Sequence, residues 1–585
     1  MRSGAPRTHA SSTGDLDVPT SGVRFPRAED TSWGRLGLVT LALAVLVGGA
    51  LRLDRLGGVS FSDDEVFKVN AVEGYRAGRY TLTGDDEHPL LMKLSILASW
   101  RARDAWNAHV SPQHALSIEA ATRAPNAIAG ALCAILVALL GRELLSRRAG
   151  LFGAILWAVE PITIGFSRVA KEDTLLTLFL IASLVCVVRA RRAADEELPH
   201  DRRWEVAAAA LLGLAFASKY FFHLALPIPL YYVWSRRAGT RWRVPLSRWL
   251  ALGALAAAVF FAVNPTVLAP ANLRYIVDYL TRPTLHRHAY RFMGELYMNR
   301  AQELATRTPW YFYFVFLAVK LPLPLLAATA IGGVSLVTRK AYRDPARLFA
   351  SFAIVWLVFH ALLSGGKFTR YLMPLMPMVL LTAALGVETV ASWARRAWTP
   401  TIAWAGLVAI AAPTALAALE TAPHERMFLN ALGGDRERLR WWFPHCDFYD
   451  VGVREAIAWV CAHGEGDSLR LRAAPQPLTR YYAAQCSRTR IDVSGLAPGD
   501  PPCDPARECV EILQVGRASF ETEPLVAARH QRSPDAVVEV LGVNVAEVYT
   551  TGARAPHTAR QEERTSVGPF TVLVEPPRNM ESATR

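Results

Sequence analysis

The chain has 585 residues, 52% of them hydrophobic, with a formal net charge of +13 and seven cysteines. Its mean hydropathy of +0.18 is too apolar for an ordinary soluble multidomain protein, and the apolar residues come in long blocks that stop near residue 420. The positive charge sits in short arginine clusters between those blocks, the pattern of cytoplasmic loops, so the charge does not point to nucleic acid.

Residues 1–35 are rich in Ser, Thr, Pro, Gly and Arg. They read as a disordered cytoplasmic N-terminus and lack the apolar core of a cleaved signal. A membrane span needs roughly 20 apolar residues. Suitable stretches lie at 36–53, 122–141, 150–166, 174–190, 204–218, 221–235, 249–265, 320–337, 348–364, 371–390 and 401–419. These eleven predict a mostly α, polytopic membrane helical bundle over 36–420. Two shorter apolar stretches, 89–100 and 309–319, suit interfacial or re-entrant helices. Lys320 is at the surface if a span starts there, and buried beside an anion if the helix starts at Pro309.

With the N-terminus in the cytoplasm, the interior loops are GRELLSRRAG, RARRAADEELPHDRR, SRRAGTRWRVPLSR, TRKAYRDPAR and SWARRAW. They hold 3, 5, 5, 4 and 2 Lys/Arg in turn, so every interior loop is basic. The odd span count then puts residues 421–550 outside. There GVREAIAWVCAHG and TRYYAAQ read as helices, and LRLRAA, RIDV, ECVEILQV and NVAEVYT as strands. This predicts a small C-terminal α/β domain, followed by a flexible tail at 551–585. Five cysteines fall in it, Cys446, Cys461, Cys486, Cys503 and Cys509. An exported domain permits disulfides, and an odd number leaves at least one thiol unpaired within the chain. Cys503 and Cys509 read as disulfide partners rather than a zinc pair.

Residues that carry chemistry collect on the predicted outer face. FSDDEV at 61–66 holds Asp63, Asp64 and Glu65, and GDDEHPLLMK at 84–93 holds Glu87, His88 and Lys93. SRVAKED at 167–173 holds Arg168, Lys171, Glu172 and Asp173; later loops add Lys219, Lys367 and Arg370. Short outer loops ordinarily avoid Lys and Arg, so these cations point to an anion at that surface, a phosphate above all. Singly, each residue has a plain reading: a solvated loop acid, a cation reaching for headgroups, or Asp173 as a helix cap. Together they fit sugar transfer from a lipid phosphate. A carboxylate takes the proton of an acceptor hydroxyl, and fixed cations receive the charge of the departing phosphate.

These residues resemble the membrane glycosyltransferases of the GT-C fold, most of all the bacterial branch of the protein O-mannosyltransferase superfamily, the dolichyl- or polyprenyl-phosphate-mannose type. Asp64-Glu65 matches the acidic pair after the first span. His88-Pro89-Leu90-Leu91-Met92-Lys93 is similar to a His-Pro-Pro-Leu-Gly-Lys element, with Leu91 and Met92 replacing its second Pro and its Gly. Arg123-Ala124-Pro125 resembles the Arg-x-Pro that opens the second span. Ser167 to Asp173 resembles Ser-Arg-x-Ala-x-x-Asp, and KFTRYLMP at 367–374 resembles Lys-x-x-Arg-Tyr-x-x-Pro.

The resemblance implies that Asp64 is the base, Glu65 its support and Asp173 a second acid. It implies that His88, Arg123, Arg168, Lys219, Lys367 and Arg370 bind the donor phosphate. Some relatives use a divalent metal, for which Asp64, Glu87, His88 and Asp173 have suitable donor atoms. The implied partners are a polyprenyl-phosphate-linked sugar, a protein or glycolipid acceptor and the lipids of the cell membrane, with no nucleic acid. The competing reading is a transporter or flippase without covalent chemistry, which would place charge near the bilayer midplane or show two similar halves. The sequence shows neither.

Overall fold

Each of the eleven stretches read as spans contains helix in the computed structural model. It describes residues 33–573 apart from 80–87, 199–200, 282–288, 301–302, 395–397, 464–467, 488–489, 498, 505–507, 518, 521, 552–563 and 568–569. The expected disordered N-terminus falls almost wholly outside the described residues, as do Asp85, Asp86 and Glu87.

The first half runs α1 (Arg35–Leu53), α2 (Asp63–Arg76), α3 (Leu90–Asn107), α4 (Ile118–Leu144), α5 (Arg147–Val159), α6 (Pro161–Ser167), α7 (Glu172–Asp195), α8 (Asp201–Ser218), α9 (Pro227–Arg237) and α10 (Leu246–Val263). Next come α11 (Pro270–Thr281), a hairpin of β1 (Tyr290–Phe292) and β2 (Glu295–Tyr297), α12 (Phe312–Lys320) and α13 (Leu323–Thr338). The bundle ends with α14 (Arg343–Trp356), α15 (Met376–Ala391) and α16 (Thr399–Thr421).

Among the described residues six helices are long and apolar enough to cross a membrane by themselves: α1, α4 with the turn before it, α7, α10, α14 with the turns flanking it, and α16. The pair α5 and α6, bent by 60°, is long and apolar enough when taken together. The remaining expected spans are short or charged. α8 opens on Asp201, Arg202, Arg203 and Glu205, α9 has 11 residues, and α13 and α15 have 16 each.

The stretch 150–166, expected as one span, breaks at Glu160-Pro161 because proline cannot donate the hydrogen bond that would continue α5. Glu160 accepts from the N–H groups of Ile162 and Thr163 at 3.0 and 2.7 Å and so caps α6. Arg52, at the end of α1, takes the freed carbonyls of Trp157 and Ala158 at 2.9 and 3.1 Å. Elsewhere helices approach through small residues. A Cβ on Gly332 of α13 would run into the Thr382 carbonyl of α15, and one on Gly386 into the Ala328 carbonyl.

The arginine-rich loops meet at one end of the bundle. Glu143 at the end of α4 binds Arg142, Arg189 and Arg192 at 2.8, 3.1 and 3.2 Å. Asp344 pairs with Arg191, and Glu388 accepts from Ser146 at 2.7 Å. The loops expected outside gather at the opposite end.

After α16 the chain forms α17 (Leu439–Trp442), α18 (Pro444–Phe448), α19 (Val453–His463), α20 (Gln476–Ala483) and α21 (Glu523–Arg529) around a seven-stranded mixed sheet. Its strands are β3 (Ser468–Ala473), β4 (Arg490–Ser494), β5 (Cys509–Gln514), β6 (Ala536–Val540), β7 (Val543–Thr551), β8 (Arg564–Val567) and β9 (Phe570–Leu573), in the order β4-β3-β5-β7-β6-β9-β8. β3 pairs in parallel with β4 and β5; the other pairs are antiparallel. The β8–β9 hairpin lies inside the stretch expected to be a flexible tail. Its alternating TVL segment pairs with β6, Val538 opposite Val572. Disulfides join Cys461 to Cys486 and Cys503 to Cys509, leaving Cys446 as a buried thiol. The sheet domain shares its core with the bundle: Val66 and Val69 of α2 and Ile96 of α3 belong to one cluster with Leu471, Leu478 and Val548.

Candidate active site

The three acids of FSDDEV open α2, where the helix N-terminus favours negative charge. Ser62 caps it and Glu65 reaches back to the Ser62 N–H at 2.9 Å, completing a capping box. Successive residues on a helix point about 100° apart, so the acids face three ways.

Glu65 turns inward and is 1% exposed. It accepts a fork from Arg123 at 2.7 and 2.8 Å and the Ala170 N–H at 2.9 Å. Burial acts to raise its pKa, but Arg123 and these donors outweigh it and hold the carboxyl below the usual range. Asp63 turns to the sheet domain, 2.7 Å from Arg517. Burial is again outweighed, here by Arg517 and Lys171, and the carboxyl is held low. Asp64 turns a third way and is 23% exposed. Its Oδ2 pairs with Lys171, accepts from the Tyr449 hydroxyl at 2.6 Å and lies 3.9 Å from Arg370.

The first turn of α7 brings two more carboxylates. Asp173, 2% exposed, binds Lys219 at 2.6 Å and lies 3.6 Å from Arg370 Nε. Lys219 sits over the rings of Phe221 and Tyr371 at 4.4 and 4.6 Å. Glu172 binds Lys68 at 2.8 Å and lies 3.7 Å from His88 Nδ1. Burial first, then Lys68, Lys93 and Lys219, push His88 down to about 3. It is therefore a neutral imidazole at ordinary pH and brings no charge to a phosphate.

Of the other cations expected at the donor phosphate, three have protein partners close by. Arg123 has its donors engaged by Glu65 and by the carbonyls of Val59 and Ser60 at 2.8 and 2.7 Å. Arg168 reaches the Leu51 carbonyl at 2.8 Å and lies 3.4 Å from Glu425. Lys367, 1% exposed, donates to the Thr308 carbonyl at 2.7 Å. All three fasten loops and helix ends. Arg370 differs, because its buried Nε has no hydrogen-bond partner among the described residues.

Arg370, Lys171 and Arg426 surround the ring of Tyr449 at 5.6, 5.5 and 5.3 Å. Together with Asp173 they line a cavity of about 10 Å³, the room of one water. Arg426 carries only a 3.5 Å hydrogen bond to the Cys446 carbonyl. Lys320 is buried at the end of α12 and meets the anion its burial requires, Asp447 at 2.5 Å.

Of the four side chains with donor atoms suited to a divalent ion, Glu87 lies outside the described residues. Lys171, Lys219 and Arg370 already flank the carboxylates of Asp64 and Asp173. Among the described residues no three His, Cys, Asp or Glu side chains converge as a metal cage.

Arg426, Tyr449 and Arg517 escaped the sequence reading. They lie beyond the last span, in stretches without a motif, and the fold returns them to α2. The signal available was the turn-forming Tyr449-Asp450-Val451-Gly452.

Two family models match the chain: dolichyl-phosphate-mannose-protein mannosyltransferase over residues 114–265, and the Alg9-like mannosyltransferase family over 306–433. Arg123, Arg168, Asp173 and Lys219 fall in the first match, and Lys367, Arg370 and Arg426 in the second. Asp64 and Tyr449 lie outside both. No curated protein matches.

Among solved structures, ArnT from Cupriavidus metallidurans bound to undecaprenyl phosphate is 14% identical, covering 88% of this chain and 99% of that one at a TM-score of 0.49. The oligosaccharyltransferase AglB from Archaeoglobus fulgidus, in complex with an inhibitory peptide and a dolichol phosphate, is 13% identical over 78% of this chain and 64% of that one, with a TM-score of 0.45. The S. cerevisiae protein O-mannosyltransferase Pmt1-Pmt2 complex is 18% identical over 46% and 41%, with a TM-score of 0.30. At these values the likenesses bear on no residue's role. Two mannosyltransferase matches on successive parts of one multi-helix chain support a membrane glycosyltransferase that uses a lipid-linked sugar donor.

Proposed function

We propose that the chain transfers a hexose, mannose first among candidates, from a polyprenyl phosphate to a hydroxyl on a protein or glycolipid at the outer face of the cell membrane, with Asp64 as the base. One observation carries this reading. Of Asp64, Glu65 and Asp173, Asp64 alone is appreciably exposed, and its Oδ2 is held by Lys171 and the Tyr449 hydroxyl, two of the residues that line the cavity with Arg370 and Arg426.

The acceptor oxygen attacks the anomeric carbon while its proton passes to Asp64. The bond from that carbon to the phosphate oxygen breaks, and its electron pair leaves with the polyprenyl phosphate. Arg370, Arg426 and Lys171 take up the phosphate charge. Asp173 positions Lys219 and Arg370, and Glu65 holds the α2 turn that aims Asp64. The choice of side rests on the basic loops expected inside, of which those carrying Arg142, Arg189, Arg192 and Arg148 meet at the end of the bundle away from Asp64.

The test is Asp64→Asn, assayed with radiolabelled polyprenyl-phosphate mannose and membrane acceptors. Transfer is expected to vanish while membrane insertion and melting stay unchanged; near-normal transfer would overturn the assignment. Side is tested by cysteines at the exposed Glu437 and Arg241, with an impermeant thiol reagent on intact cells. Labelling at 437 only is expected, and labelling at 241 only would reverse the orientation. The buried Lys367 is unsuitable for such labelling.

A further inference from the structure

The Tyr449 hydroxyl donates to Asp64 Oδ2 at 2.6 Å. A hydroxyl that is to surrender its proton to this oxygen competes with Tyr449 for that place. Tyr449 belongs to the segment between α18 and α19, so the sheet domain delivers this hydroxyl to a helix of the bundle.

The delivery is built into the backbone. Tyr449 and Asp450 both stand in the left-handed region, at φ of 42° and 65°, which residues with a β-carbon avoid and which clusters at functional positions. Asp450 holds the turn down. It accepts a fork from Arg517 at 2.6 and 2.6 Å and the Asp63 N–H at 3.1 Å. The same Arg517 reaches the Asp63 carboxylate at 2.7 Å, and Ser60 donates to the Asp450 carbonyl at 2.9 Å. The turn is thus fastened to the residues that begin α2, one position from Asp64. The ring stands among Lys171, Arg370 and Arg426, and the cavity that remains has room for one water.

Resting on the reading of Asp64 as base, we propose that Tyr449 is a specificity gate: its hydroxyl fills the acceptor position and keeps water from serving as acceptor until the true acceptor displaces it. The step it prevents is donor hydrolysis. Without the gate, a water oxygen attacks the anomeric carbon and its proton goes to Asp64. The bond to the phosphate oxygen then breaks, releasing free sugar and polyprenyl phosphate. The phenol itself does not react. Burial first, then the nearby acids, drive its pKa well above the ordinary value, so its proton stays on oxygen and it remains a donor.

The experiment measures free sugar released from radiolabelled polyprenyl-phosphate mannose without acceptor. Tyr449→Phe keeps the ring and opens the space of one hydroxyl. It is expected to raise hydrolysis roughly tenfold, the order of one hydrogen bond to a charged group. Arg517→Gln, which frees the turn without altering the cavity lining, is expected to act in the same direction. The double variant Asp64→Asn with Tyr449→Phe returns to background.

Wild-type hydrolysis in Tyr449→Phe, or a rise that persists in the double variant, overturns the gate. Normal transfer by Asp64→Asn alone removes the base and overturns both readings. A dead Asp64→Asn beside an unchanged Tyr449→Phe overturns the gate only. A second readout needs no sugar. Cys446 is a buried thiol on the same cavity, and Tyr449→Ala or Arg517→Gln should speed its labelling by a small thiol reagent, followed by mass spectrometry. Equal rates in the wild type and both variants overturn the gate whichever sugar the protein uses.

Discussion

Glu143 and Asp64 both stand where several helices meet amid arginines and lysines, at opposite ends of the bundle. Glu143 receives three guanidinium groups at 2.8 to 3.2 Å from α4 and α7, and nearby Asp344 takes Arg191 and the Tyr231 hydroxyl. That end is a set of rivets in which each acid is closed off by short contacts. Around Asp64 the cations face a cavity, and Arg370 holds its two acids only at 3.6 and 3.9 Å. Counting charges makes the two ends alike. What separates them is donors left free to take a new partner, and such donors suit a phosphate.

The comparison breaks most plainly at Asp64. Asp64→Asn should lower transfer by about 10³-fold, within the range for general-base loss, with melting unchanged; the readout is labelled product per folded protein. Next is Glu65→Gln, which leaves Arg123 buried without its anion and should cost about 3–5 kcal/mol of stability, measured by melting in detergent. Its pH dependence follows in sign. The folded pKa lies below the unfolded one, so the contribution is full above the ordinary value of 4.5 and fades as pH falls through the lower folded value. The wild type should lose stability in that acid window and Glu65→Gln should lose less.

Smaller again, Arg426→Gln should reduce turnover by roughly 10²-fold through the departing phosphate with little change in melting. A purely structural Arg426 would shift melting instead. Smallest, Arg241→Ala removes a surface partner of Glu197 and should change stability by less than about 0.5 kcal/mol.

The alternation of basic and mixed-charge loops was legible because it repeats along the chain and each instance is local. The FSDDEV turn was legible for the same reason, and the helix period assigns its three acids to three directions. Arg123 and Arg168 lie at the Asp64 end, where they hold backbone carbonyls. A motif shows that an arginine is present, whereas the carbonyls of Leu51, Val59 and Ser60 that engage the pair are backbone groups with no signature. Glu160-Pro161 could have flagged the broken span, since both residues have strong local meanings at a helix start. Tyr449 was beyond reach because Asp64, which its hydroxyl meets, lies 385 positions away, and nothing local marks Arg426. The β8–β9 hairpin was missed as short strands within a polar, proline-containing stretch.

The core shared by α2, α3 and the sheet domain sets an order of assembly. Val66, Val69 and Ile96 emerge from the ribosome early, while Leu471, Leu478 and Val548, which cover them, come after the last membrane helix. The first helices of the site therefore wait, uncovered, through the synthesis of nearly the whole chain. A chain halted before α19 would insert its spans and still lack that cover, and its unburied valines and isoleucine would be a ready mark for membrane chaperones and proteases.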